Sequence, residues 1–179
     1  MASLTERMLG AAKLDAATYE EVEADATATG QALLVVVLAN LAAGVAALRD
    51  VGVGGLVLIT VVALVGWYAW AFVIYFVGTR FLPGPRTQAD LGQLLRTLGF
   101  AAAPGLIRVL GIVPGLNWLV SLVAALWMLV AMVVAVRQAL DYEGTGRAVA
   151  VCLIGFAVYI VVAIVLGTLL GVTAGIVGR

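Results

Sequence analysis

The sequence predicts an all-α fold, a polytopic transmembrane helix bundle of five spans, and three observations carry that reading. Of the 179 residues, 64% are hydrophobic and only 11% charged, whereas a soluble domain carries about 25% charged and 45–50% apolar residues. Charge-free runs recur along the chain, separated by short polar links rich in Gly or Pro. A run of about 20 apolar residues, rising 1.5 Å each, crosses about 30 Å of hydrocarbon. That much apolar surface needs lipid as its solvent.

Residues 1–29 form an acidic head, with Glu6, Asp15, Glu20, Glu21, Glu23 and Asp25 against Arg7 and Lys13, a net charge of −4. Leu4, Met8, Leu9, Leu14, Tyr19 and Val22 make an imperfect helical stripe, and Thr18 with Glu21 predicts a capped short helix. The leader is acidic and no apolar run precedes residue 30, so it does not read as a secretory signal and the first span is expected to stay as an anchor.

The transmembrane domain is expected over residues 30–179, with spans about 30–48, 56–78, 97–113, 117–136 and 148–172. Asn40 falls near the middle of the first. Arg49-Asp50 with Gly52, Gly54 and Gly55 makes a tight link to the second, whose Trp67 and Trp70 are expected to face neighbouring helices. Phe81-Leu82-Pro83-Gly84-Pro85-Arg86 reads as a turn, because proline blocks helix and glycine frees it. Thr87, three residues before Asp90, predicts a helix start. Leu91, Leu94, Leu95 and Leu98 then share one face with Gln93 and Arg96 off it, the pattern of a helix over 87–99 lying in the membrane interface. It feeds the third hydrophobic segment, 97–113, which Pro104 should kink. That segment is short, so four spans plus a re-entrant segment is the alternative. Pro114-Gly115-Leu116 closes it. The last apolar stretch, Ala148 to Val177, exceeds what a perpendicular span requires.

Basic residues favour the cytoplasmic side of a membrane. With five spans and the head inside, Arg7, Lys13, Arg80, Arg86, Arg96, Arg137 and Arg147 lie inside, and Arg49, Arg108 and Arg179 outside, seven to three. The four-span alternative exchanges Arg137 and Arg147 for Arg108 and Arg179 and is also seven to three. Charge supports a cytoplasmic amino terminus and leaves the number of spans open.

Leu98-Gly99-Phe100 followed by Pro104 resembles the third-span signature of the Yip family, the Ypt/Rab-interacting membrane proteins: Leu-Gly-Tyr/Phe, three residues, then Pro. The head, with Tyr19-Glu20-Glu21-Val22-Glu23 running into Ala28-Thr29-Gly30-Gln31-Ala32, is similar to the family's bacterial branch, and the order of hydrophobic segments matches over most of the chain. The resemblance implies five spans, an amino terminus in the cytoplasm and a carboxyl terminus opposite. Eukaryotic members carry Asp-Leu-x-Gly-Pro before the first span. This sequence has no counterpart, so GTPase binding is not carried over.

The sequence has no histidine and one cysteine, which excludes the usual zinc sites and every triad needing a histidine base. Asp141 and Glu143 have no metal-site companion in sequence and read as a solvated turn; Cys152 reads as a small hydrophobe. Arg96, Arg108 and Arg137, at the edges of apolar segments, read as snorkelling to headgroups. Asn40 reads as interhelical glue worth about 0.6 kcal/mol. Gly167, Gly171 and Gly175 form a small-residue stripe that suits close packing in the bundle, with self-association as the lesser reading.

The functional expectation is a non-enzymatic membrane scaffold or adaptor in membrane organisation or trafficking, in a bacterial cell membrane, without cofactor or nucleic acid. Its expected partners are the lipid bilayer, a protein at the cytoplasmic face and, as an option, a second copy of itself. The −4 head and the +2 segment 79–96 are expected to attract one another. The alternative is a small transporter or channel component, which should carry a charged group at mid-span, where only Asn40 stands. An intramembrane enzyme comes third.

Overall fold

Ser3 and Glu6 open the first helix with a reciprocal cap, each side chain accepting from the other's backbone N–H, so two of the orphan donors at a helix start are satisfied. This is α1, Leu4–Ala12. The structure, a computed structural model, describes residues 2–45, 48–113 and 115–169. Leu14, with φ +63°, ends the connection after α1. Asp15 then caps α2, Ala16–Ala24, by accepting from the Ala17 N–H. The cap expected at Thr18 is not formed, because the Thr18 hydroxyl donates to Asp15 at 2.8 Å. Tyr19 and Val22 are fully buried, so the head is a pair of packed helices.

Five helices long and apolar enough to cross a membrane follow among the described residues. The first crossing is Ala26–Gly44, mostly α3 (Thr29–Gly44). The second belongs to α4, Leu48–Phe76, in which Gly52 takes φ +65° and breaks the helix. The crossing proper runs from Gly52 to Phe81 and ends in a π turn, Val77–Phe81. The fourth is α6, Asn117–Ala139, and the fifth lies in α7, Thr145–Leu169.

The third crossing departs from expectation. Residues 87–90 are not helical; α5 is Leu91–Phe100, started by Asp90 and Gln93, which cap each other's backbone N–H. Thr87 instead accepts from the Gly84 N–H and donates to the Leu140 carbonyl. Nor does α5 stand apart from the other helices: it packs on α2, α3, α4 and α6, and Leu94 and Leu98 are core residues. At Pro104 the missing N–H ends α-helical bonding, and the chain continues as a 3₁₀ segment, Ala103–Ile112. Ten α residues rise about 15 Å and ten 3₁₀ residues about 20 Å, so a segment that looked short reaches across. It is also the most enclosed crossing, 56% of it buried against 11% of the second.

Two links meet at one end of the bundle. The Tyr142 hydroxyl donates to the carbonyls of Leu82 (2.7 Å) and Gly78 (3.3 Å), Thr87 reaches Leu140, and Arg86 pairs with Glu143 at 3.3 Å. Residues 91–112 and 117–139 separate these links. Both segments must traverse for the links to share a face, so the re-entrant alternative gives way to five crossings. The glycine stripe is only partly in view: Gly167 falls in α7, while Gly171 and Gly175 lie outside the described residues.

Candidate functional site

The junction of head and bundle is built by two arginines. Arg96, on α5, is 7% exposed. Its Nε donates to the carbonyls of Val22 (3.0 Å) and Glu23 (3.2 Å), and its Nη2 also donates to Glu23. These carbonyls belong to the last turn of α2, where a helix has acceptors without intrahelical partners and the negative end of its dipole. A guanidinium fork suits both needs. Arg96 therefore does not snorkel to headgroups; it fastens the head to the bundle. The expected attraction between head and 79–96 is realised here through backbone carbonyls, supported by the Gln93 amide donating to Glu23 at 3.1 Å.

Arg7, on α1, is 2% exposed. It binds Glu21 at 2.9 Å, Asp25 at 2.7 Å and the Gln31 side chain at 3.0 Å, joining α1, α2 and the start of α3. Sequence reasoning missed it. The available signal was a single arginine between Leu4 and Met8, on the apolar stripe of an acidic segment. Two further ties seat the head on α6: the Trp127 indole donates to the Ala12 carbonyl at 2.7 Å, and the Gln138 amide donates to Glu20 at 2.9 Å.

The junction is electrostatically uneven. Burial, then the charge of Asp141, pushes the Glu23 carboxyl up to about 7, with Arg96 opposing and Glu20 and Asp90 adding. Asp25 is held down at about 2 by hydrogen bonds from Thr27 and then Arg7.

A cavity of about 360 Å³ opens deeper in the bundle, lined by residues of all five crossings, Asn40, Trp67 and Tyr159 among them. Asn40 donates back to the Val36 carbonyl of its own helix at 2.8 Å, rather than across to a neighbour. Trp70 packs edge-on against Phe156 and Tyr159 of α7, with centroids 6.5 and 5.9 Å apart.

The family model of the Yip1 domain matches residues 15–166, most of the chain. The chain belongs to the Yip family. Neither a curated protein nor a solved structure matches it.

The Yip signature can now be read as packing. Gly99 presses α5 onto α3: a methyl group there would stand 2.7 Å from the Ala32 Cβ and 3.1 Å from its carbonyl oxygen. Phe100 is fully buried in the core beside it, and Pro104, also buried, marks the change to 3₁₀ helix. Of the other residues expected at the site, Arg108 lies on the 3₁₀ segment with a buried Nε that has no hydrogen-bond partner among the described residues. Arg137 turns to the Tyr142 carbonyl at 3.4 Å and so helps close the 140–144 link. Cys152 is half-buried against the core.

Proposed function

We propose that this Yip-family membrane protein is a non-enzymatic scaffold or adaptor. Its head end faces the cytoplasm of a bacterial cell and engages a protein partner in membrane organisation. The observation that supports this is the fastening of α1 and α2 by Arg7 and Arg96. A head tied at both helices presents a fixed surface rather than a tether, and Glu6, Asp15, Glu20 and Glu21 are exposed on it. A rigid acidic surface suits a partner with a basic patch, since charge complementarity speeds encounter and rejects wrong partners. The basic residues gathered at the same end favour the cytoplasmic side.

The transporter reading draws less support. Among the described residues this cavity is lined without Asp, Glu, Lys or Arg, and ionisable groups inside a membrane are what mark ion and substrate paths.

A photo-crosslinking residue at Ala24, exposed on the head, tests the proposal in cells. A discrete protein adduct should form and disappear when Glu6 and Asp15 are reversed to lysine. An adduct indifferent to that reversal, or none, overturns the scaffold reading.

A further inference from the structure

We propose that the paired head helices thin the bilayer along one side of the bundle and that phospholipids change leaflet there. The depth to which the head reaches carries this. The Trp127 indole donates to the carbonyl of Ala12, the last residue of α1, at 2.7 Å. Within α6, Asn117–Ala139, Trp127 stands ten residues, about 15 Å, from one end and twelve, about 18 Å, from the other. A second contact agrees. Helix α1 packs against the 3₁₀ segment, which begins at Ala103, twelve residues past the start of α5 at Leu91. The tip that joins α1 to α2 therefore lies near the middle of the fourth crossing. It carries Lys13 and Asp15, both exposed.

On α4 the apolar surface is not interrupted in this way. Gly105 meets both Met128, the neighbour of Trp127, and Ala39 of α3, and Gly44 of α3 meets Leu56 of α4. Counting back along α3 and forward along α4 puts Val62 level with the tip. Val53, Leu58, Val62, Val65, Phe72 and Phe76 are all exposed over 23 residues, about 35 Å, enough for the full hydrocarbon thickness. Beside the head, only the stretch from Trp127 to Asn117 is left, about 15 Å. A bilayer meets a short apolar stretch by thinning, and it meets charge at depth by local thinning and water defects. The headgroup layer is thus drawn down to Lys13 and Asp15.

The seam below the tip, between the 3₁₀ segment and α6, is itself marked by polar groups. Side chains three apart eclipse on a 3₁₀ helix, so Arg108 shares a side with Gly105 and Gly111, which meet Met128 and Asn117 of α6. Arg108 is partly exposed, and its buried Nε has no hydrogen-bond partner among the described residues. On α6 the Ser121 hydroxyl stands 3.4 Å from the side-chain oxygen of Asn117, which is exposed. A guanidinium suits a phosphate. A headgroup leaving the tip therefore finds a partner part-way to the far face, while its tails stay in the bilayer. No energy source enters, so exchange runs in both directions.

The test has a depth arm and an exchange arm, both on the full chain in phosphatidylcholine vesicles. For depth, a spin label is placed at Lys13→Cys or Val62→Cys in a Cys152→Ala background. Collisions with a water-soluble nickel chelate should be frequent at Lys13 and rare at Val62, although the two are level. Equal shielding at both positions, or equal exposure, overturns the thinning. For exchange, fluorescent phosphatidylcholine is present in both leaflets and dithionite is added outside. Protein-free vesicles should keep their inner-leaflet signal, and vesicles with the protein should lose it. Arg108→Leu should slow that loss by about tenfold, the effect of one hydrogen bond to a charged group. A thickness series needs no variant: the protein's effect should be large in dimyristoleoyl and small in dierucoyl phosphatidylcholine. An inner leaflet that stays protected, or loss indifferent to bilayer thickness, overturns the exchange. Neither arm needs a protein partner, so neither bears on the crosslinks formed at Ala24.

Discussion

Gly99 shows how a single missing side chain sets a contact between helices. In a membrane no hydrophobic force drives helices together, so close backbone approach and many small contacts hold them. Gly99→Ala puts a methyl 2.7 Å from Ala32, and relieving such overpacking costs about 1–3 kcal/mol. The variant should unfold at a lower temperature in detergent, whereas Gly30→Ala, with nothing within 4 Å, should match the parent or exceed it. Arg96 makes the converse case, a side chain whose loss strands its partners. Arg96→Met leaves the last carbonyls of α2 without donors and should cost about 2–3 kcal/mol of head docking. Hydrogen exchange in α2 would report the loss. Arg96→Lys should recover only part of it, because an ammonium lacks the fork that spans both carbonyls.

Among the elements, α2 is the one whose docking should respond to pH. Glu23 has its pKa raised by burial to about 7. A carboxyl raised in this way favours the folded state fully below its ordinary 4.5, and that advantage is lost as pH climbs through about 7. Asp25 works in the opposite direction: held at about 2, it contributes above its ordinary 3.8 and fails only in strong acid. Between pH 5 and 8 Glu23 therefore governs. Protection of α2 against hydrogen exchange, corrected for intrinsic chemistry, should fall across that window, and Glu23→Gln should flatten the response. Little of this was legible in the sequence. The stripe Leu91, Leu94, Leu95 and Leu98 announced an amphipathic helix, and it is one. Periodicity could not say whether the polar side met water, headgroups or protein, so α5 was read as interfacial when its Arg96 side is covered by α2. The third crossing was read as short because sequence length was converted at the α-helical rise. Nothing local announces that 103–112 would take the longer 3₁₀ rise, apart from the proline at its start.

At the scale of the whole molecule, the outside of the bundle is apolar as well as its core, unlike a soluble domain. Val57, Leu58, Leu122, Leu126, Leu153 and Val161 are all exposed, which only lipid makes tolerable. The most enclosed crossing carries Arg96 and Thr97, both buried. That apolar exterior is why composition revealed the class of fold at once while charge counting left the number of crossings open. Contacts among the links decide it, and the consequence can be measured in the membrane. In a Cys152→Ala background, cysteine placed at Arg86, Glu143 or Val53, each well exposed, can be tested with an impermeant maleimide from each side of sealed vesicles. Arg86 and Glu143 belong to links that pair at 3.3 Å, so those two positions should label from one face. Val53, at the start of the second crossing, should label from the other. Four crossings would place Glu143 with Val53 instead. Labelling of Arg86→Cys and Glu143→Cys from opposite faces would therefore overturn both the five-crossing arrangement and the head-end surface built on it.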